Sequence, residues 1–265
     1  MERAYFVSDL HLTDAEQPRA RLFSSFLDSL AGGSKASHLF LLGDIFDLWV
    51  ADHRYFVDKY QAIVERIIRL RDEGVEIHFF EGNHDLHLAP YWAAKLGIIV
   101  HGGPSYVNIA GRVVRLEHGD QMDPGDQGYR FLRWFLRTPL IRFLACRSPG
   151  SLIAGIGERA SSASRKYNSQ ANAIAETEAV QIIRSHALRA YRQRPFDVIV
   201  SGHVHVRDDC EMEEGVSRFR CINLGTWLDA PCYLRIDDSG VDLVELSPAE
   251  TGPATQPRDR AEQAL

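Results

Sequence analysis

The chain has 265 residues, 45% of them hydrophobic and 25% charged, with a formal net charge of −6. That length and apolar content suit a single α/β domain with a sizeable core and room for an inserted subdomain, and the acidic balance argues against a protein that coats nucleic acid. The four cysteines, Cys146, Cys210, Cys221 and Cys232, are scattered and form no C-x-x-C pair, which argues against a disulfide framework and against a structural zinc cluster. Met1–Val7 lacks the layout of a signal peptide, and no apolar run is long enough to cross a bilayer. The expectation is a cytoplasmic protein.

In chain order, Ala4–Ser8 reads as a buried strand, and Leu22, Phe23, Phe26, Leu27 and Leu30 recur at helical spacing over Arg19–Leu30. A second strand, His38–Leu42, ends at Gly43-Asp44. A second helical pattern runs over Tyr55–Asp72, and a third strand, Val75–Phe80, ends at Gly82-Asn83-His84-Asp85. This alternation predicts a sheet covered by helices. Ile98–Val100, Ser105–Ile109 and Arg112–Glu117 follow as strands, the last delivering His118-Gly119-Asp120. Helical sequence occupies roughly Asp126 to Arg194. Phe196–Val200 is then a strand leading to Gly202-His203-Val204-His205, and four more strands follow over Val206–Met212, Ser217–Leu224, Tyr233–Ile236 and Val241–Leu246. The Pro-containing, aperiodic end of the chain reads as disordered.

Five segments carry metal-ligand residue types: Asp9-Leu10-His11, Gly43-Asp44, Gly82-Asn83-His84-Asp85, His118-Gly119-Asp120 and Gly202-His203-Val204-His205. Each lies at or just past the C-terminal end of a predicted strand, where ligands of open α/β sheets collect. Taken singly, each has a duller reading as a turn, a helix cap or an ordinary loop; joint occurrence is what carries the site. Imidazole with carboxylate and carboxamide oxygen suits Mn, Fe, Zn or Co better than Ca or Mg, and two adjacent cations suit water activation against a phosphorus ester.

The ordered set resembles the signature of the calcineurin-like metallophosphoesterases: D-x-H, G-D, G-N-H-D/E, H-G and G-H-x-H. The resemblance runs from Asp9 to His205. It implies an α/β fold, a sandwich of two mixed β-sheets flanked by helices, and a site for two divalent metal ions, Mn foremost with Fe or Zn as alternatives. By motif, Asp9, His11, Asp44 and His205 would hold one ion. Asp44, Asn83, His118 and His203 would hold the other, with Asp44 as the bridge. His84 would be the non-ligand histidine that stabilises the transition state or protonates the leaving oxygen, oriented by Asp85. The implied chemistry is in-line attack on phosphorus by a hydroxide bridging the metals.

Gly43-Asp44-Ile45-Phe46-Asp47-Leu48-Trp49 further resembles the G-D-[IL]-F-[DE]-x-W segment of the bacterial UDP-2,3-diacylglucosamine diphosphatases of lipid A biosynthesis. Ser8–Leu12 and Gly128-Tyr129-Arg130 also match. That resemblance implies pyrophosphate cleavage of UDP-2,3-diacylglucosamine to UMP and the acylated sugar 1-phosphate. It also implies a helical lid inserted over 123–195 into a core formed by 1–122 and 196–247, with a disordered tail at 248–265. Between Gln127 and Lys166 eight basic residues face Glu158 alone, interleaved with Tyr129, Phe131, Trp134, Phe135 and Phe143. This pattern reads as an interfacial segment on an anionic inner membrane or as a clamp on phosphate and acyl chains; the alternative is an ordinary helix packed on the core. Arg165, Lys166 and Asn168, together with Asn83, are the expected substrate contacts. The chain keeps His84 where many members of that family have Arg. Two other readings therefore stay open: another metallophosphodiesterase or nucleotide phosphatase, and a non-catalytic interaction scaffold on the same fold. No nucleic-acid partner and no obligate protein partner is expected. His38, His53, His78, His87, His101 and His186 fall outside the motifs, and Asn223-Leu224-Gly225-Thr226-Trp227 is either a simple turn or a loop returning to the site.

Overall fold

The computed structural model describes residues 2–32, 36–157 and 175–246. Two sheets stack face to face. The first has the order β13-β12-β1-β2-β4-β6 and the second β10-β11-β9-β8-β7. The strands are β1 Arg3–Val7, β2 His38–Leu41, β3 Trp49–Val50, β4 Glu76–Phe80, β5 Asp85–Leu86, β6 Ile99–His101, β7 Ser105–Ile109, β8 Arg112–Leu116, β9 Val198–Ser201, β10 Arg207–Glu214, β11 Ser217–Leu224, β12 Cys232–Asp237 and β13 Gly240–Glu245. The helices are α1 Pro18–Leu30, α2 Arg54–Lys59, α3 Gln61–Asp72, α4 Gln127–Leu136, α5 Pro139–Arg147 and α6 Ala175–Gln193. A further helical stretch covers 150–157.

The two-residue period of the strands builds the layers. In β1, Ala4 and Phe6 point between the sheets and meet Val114, Leu116, Val198, Val200 and Ile222 of the second sheet. Tyr5 and Val7 point the other way, onto Phe23, Phe26, Leu27, Ile63 and Ile67 of α1 and α3. The far side of the second sheet, with Ile199, Phe219 and Cys221, is covered by Ile183, Ala187 and Ala190 of α6. The result is helix, sheet, sheet, helix, with three buried apolar layers.

Within the first sheet β1, β2, β4 and β6 are parallel, and within the second β8 and β9 are parallel. Their C-terminal ends therefore share a rim. The single helix expected over Tyr55–Asp72 is two, broken at Tyr60, whose φ of −112° and ψ of 20° leave the helical well. Tyr60 is buried against Phe46 and Trp49, so packing of its ring takes precedence over helical continuity. Two features were absent from the sequence reading. One is the short parallel pairing of β3 with β5; the other is a π-helical turn at Ala89–Ala93 that buries Trp92. Between β8 and β9 the chain leaves the sandwich and forms α4, α5, 150–157 and α6. The tail over 248–265 lies outside the described residues.

Candidate metal centre

The loops after β1, β2, β4, β8 and β9 are clipped together by their backbones. Asp9 N donates to Gly43 O at 3.2 Å, His11 N to Asp44 O at 3.0 Å, and Gly202 N to His118 O at 2.9 Å. With His203 N donating to Asp9 Oδ2 at 2.8 Å and His84 N to Asp44 Oδ1 at 2.9 Å, these bonds bring all seven expected ligand residues into one cluster. Asp9, His11 and His205 form one group whose donor atoms lie within 4.8 Å of one another; Asp44, His118 and His203 form a second. The amide oxygen of Asn83 completes the second group, 3.1 Å from His118 Nε2 and 3.0 Å from His203 Nδ1. His84 joins His11 and Asp44 in a third overlapping group.

Glycines make the approach possible. A Cβ on Gly202 would sit 2.0 Å from Ser8 Oγ and 2.1 Å from Asp9 Oδ2, and a Cβ on Gly82 would sit 2.1 Å from Asp44 Oδ1. Five of the seven ligand residues also hold the left-handed backbone region that non-glycine residues avoid: Asp9 at φ 54°, His11 at 46°, Asp44 at 53°, His203 at 69° and His205 at 62°. Each such residue costs roughly 1–3 kcal/mol and persists only where its surroundings over-determine it. The strain is concentrated on donor residues.

The donor set fits divalent cations. Asp9 is fully buried; its Oδ2 accepts from His203 N at 2.8 Å and from the Ser8 hydroxyl. Its Oδ1 is buried and receives no hydrogen bond among the described residues, with His205 Nε2 3.3 Å and His11 Nε2 3.9 Å away. A carboxylate oxygen left so is costly unless a positive charge meets it. The ring nitrogens of His11 and His205 face each other at 3.0 Å, so both Nε2 atoms converge beside Asp9 Oδ1. His118 donates Nδ1–H to Leu42 O at 2.8 Å, which turns its Nε2 toward Asn83 and toward Asp44 Oδ2, 3.5 Å away. Fixing one imidazole nitrogen on a carbonyl and freeing the other is how protein sites orient metal-binding histidines.

The charges of the site act on its own titratable groups in the same sense. Burial pushes His11 and His203 down to about 4, leaving both imidazoles neutral and able to ligate. Burial acts on His118 in the same sense, yet the Asp44 carboxylate overrides it and pushes His118 up to about 10. Asp9 and Asp44 stay below the usual carboxylate range despite burial, because the surrounding histidines draw them down. The pocket thus attracts positive charge.

Asp85, expected to orient His84, lies beneath the loop that carries Asp44. Its carboxylate accepts from Ile45 N at 2.7 Å and Phe46 N at 3.3 Å, so it braces the loop that carries Asp44. His84 Nδ1–H donates to the main-chain Asp47 O at 2.7 Å. Burial and the nearby Asp44 carboxylate raise Asp85 well above the ordinary carboxylate range, against the two backbone bonds, which lower it. The loop Asn223–Trp227 does return to the site: Asn223 Nδ2 donates to Gly202 O at 2.7 Å, and Trp227 N and Thr226 Oγ1 both donate to Asp9 O at 3.1 Å. The sequence singled out the segments that hold Ser8 and Thr226 but not the bonds these two side chains make, which are set by contact across the rim.

The basic insertion divides into two faces. On α4, Tyr129 and Arg133 bond Asp120, and Arg137 pairs with Glu81 at 3.3 Å and bonds Gly82 O at 3.4 Å. Spaced four apart, these three lie on one stripe and moor the helix to the metal rim. Arg133 and Arg137 are therefore engaged with the core, in contrast to the expectation that the arginines of this segment face membrane or phosphate. The other side exposes Phe131, Leu132, Trp134 and Phe135, with Leu140, Phe143 and Leu144 of α5 beside them. Arg165, Lys166 and Asn168 lie outside the described residues. His186 pairs with Glu117, and His53 bonds Ala145 O at 2.7 Å, so both serve structure. Among the described residues no helix is long and apolar enough to cross a membrane.

The calcineurin-like phosphoesterase family model matches residues 3–207. The UDP-2,3-diacylglucosamine hydrolase of Pseudomonas syringae pv. syringae is 31% identical over 89% of this chain and 93% of its own length. Its counterpart in Stenotrophomonas maltophilia is 28% identical over 91% and 98%. Among solved structures, Vacuolar Protein Sorting 29 from Cryptosporidium parvum aligns over 92% of this chain and 96% of its own at 15% identity, with a TM-score of 0.44. The chain belongs to the calcineurin-like phosphoesterase family and is a hydrolase.

Proposed function

We propose that this protein hydrolyses the pyrophosphate bond of UDP-2,3-diacylglucosamine, releasing UMP and 2,3-diacylglucosamine 1-phosphate, at a centre for two divalent cations. Asp9, His11, Asp44 and His205 would hold one ion and Asp44, Asn83, His118 and His203 the other, with Asp44 shared and Mn the favoured metal. Two ions so held supply Lewis-acid neutralisation of phosphoryl charge and activation of water at neutral pH. The chain's own part is to position and to move a proton. His84, its ring held by the bond from Nδ1 to Asp47 O, would deliver a proton to the leaving oxygen. Asp85 and the Asp9–Gly43 and His11–Asp44 backbone bonds keep the donors in place.

The observation that carries the metal reading is the buried Asp9 Oδ1, which among the described residues receives no hydrogen bond, beside the converging nitrogens of His11 and His205. The substrate reading rests on relatives of that name aligned over nearly nine-tenths of the chain, and on the apolar face that α4 and α5 present next to the rim. That face also supports peripheral seating on the cytoplasmic side of an anionic inner membrane, where buried Trp and Phe rings and nearby cations act together.

The test is substrate profiling of the Mn-reconstituted protein. UMP release from the UDP-lipid, far faster than cleavage of a small diester such as bis(p-nitrophenyl) phosphate, is expected. Cleavage of small diesters or nucleotides with the UDP-lipid untouched would move the assignment to a general phosphodiesterase. A protein inert toward all of them would point to an interaction scaffold.

A further inference from the structure

Away from the rim, Cys210 of β10 and Cys221 of β11 are direct partners in the antiparallel register, so their side chains leave the same face of the sheet. Both sulfurs and an Asp208 carboxylate oxygen lie within 4.8 Å of one another. Directly opposed residues of an antiparallel pair have Cα atoms about 4.5–5.5 Å apart, inside the range of about 4.4–6.8 Å that a disulfide spans. Closing the bond needs side-chain rotation and little backbone movement. A metal would need the carboxylate as third donor, but both Asp208 oxygens are taken by Arg184 of α6, at 2.9 and 2.7 Å. That leaves two thiols beside a neutralised ion pair, a poor cation site and a good dithiol.

We propose that Cys210 and Cys221 form a peroxide-responsive dithiol that closes to a cross-strand disulfide. The two thiols are unequal. Cys221 is buried among Phe219, Ile183 and Ala187; Cys210 is only half-buried and stands on β10, the edge strand. The neighbouring Cys221 thiol holds Cys210 below its ordinary range, while the Cys210 sulfur and burial push Cys221 up; Cys210 Sγ itself donates to Asp208 Oδ2 at 3.7 Å. Cys210 is accordingly the attacking sulfur and Cys221 the resolving one. The Cys210 thiolate attacks a peroxide oxygen, the O–O bond breaks, and the departing hydroxide takes up the thiol proton as water. Cys221 sulfur then displaces hydroxide from the Cys210 sulfenic acid, and its own proton leaves with that hydroxide as a second water. Two thiols are oxidised by two electrons and one hydroperoxide is reduced. The hairpin so locked begins two residues after His205, and its second strand carries Asn223, which bonds Gly202 O. The cross-link therefore fixes a segment continuous with the rim.

The test is peptide mapping after brief exposure of the purified protein to hydrogen peroxide, followed by alkylation in denaturant. Two of the four thiols should be lost, in a dithiothreitol-reducible cross-link joining the Cys210 and Cys221 peptides. A Cys221→Ala variant should instead accumulate a dimedone-reactive sulfenic acid on Cys210. Mapping of the unmodified sequence stands even if that variant folds poorly. Four alkylatable thiols after exposure, a cross-link through Cys146 or Cys232, or protection of the pair by added zinc without oxidant would each overturn the proposal.

Discussion

At the scale of single residues the rim is defined as much by what is missing as by what it carries. Gly202 has no side chain because Ser8 Oγ and Asp9 Oδ2 occupy the space a Cβ would need, 2.0 and 2.1 Å away. Gly202→Ala must push Asp9 off its bond to His203 N, so metal affinity should fall about 10–100-fold, as for other disturbed ligand supports, with the fold retained; metal titration followed by calorimetry measures it. His84 poses the opposite case. His84→Ala removes a group that the proposed ligand sets do not require, so bound metal per chain should stay unchanged while kcat falls about 10²–10⁴-fold, the usual worth of a positioned acid. Elemental analysis and steady-state kinetics on one preparation separate the two effects, and normal turnover would remove His84 from the mechanism.

At the scale of elements, α4 is a moored amphipath. Tyr129, Arg133 and Arg137 hold one stripe to Asp120, Glu81 and Gly82, while Phe131 and Trp134, more than 60% exposed, face outward. Replacing Phe131 and Trp134 together by Ser should leave turnover of a water-soluble diester unchanged and weaken flotation with anionic vesicles about tenfold or more, since each lost ring removes on the order of 1.5–3 kcal/mol of burial. Unchanged flotation would dissociate this face from the membrane. Charge counting along the insertion could not separate its two sides. A sum of arginines is blind to Asp120 and Glu81, which enter from other parts of the chain.

For the whole molecule, the second sheet is tied to α6 through a buried ionic cluster beside the metal rim. Glu117, next to His118, is bonded by Arg115 Nη2 at 2.7 Å and by His186 of α6. Burial would raise the Glu117 carboxyl, but His186 and Arg115 hold it below its ordinary range. A depressed carboxyl contributes stability that is fully present above its unfolded value and is lost as pH falls through the folded one. His186→Ala lets Glu117 rise, so the acid unfolding midpoint, followed by circular dichroism, should move to higher pH. A midpoint that stays in place would mean that Arg115 alone sets this carboxyl.

The sequence by itself determined most of the strands that lead to the rim, the helical cover of the first sheet and the residue types of the seven candidate donors. These follow from local matters: hydrophobic period, glycine punctuation and side-chain chemistry at strand ends. The tertiary structure decided everything that depends on approach between distant segments. It placed Asp85 under Ile45 and Phe46 and gave His84 its partner in the Asp47 carbonyl. It broke the helix at Tyr60, brought Thr226 and Asn223 back to the rim, and set Cys210 opposite Cys221. Hydrogen bonds and close packing act over a few ångströms in space and carry no signature along the chain. The phosphoesterase chemistry is therefore written in residue types, while the supports that hold it are written only in the fold.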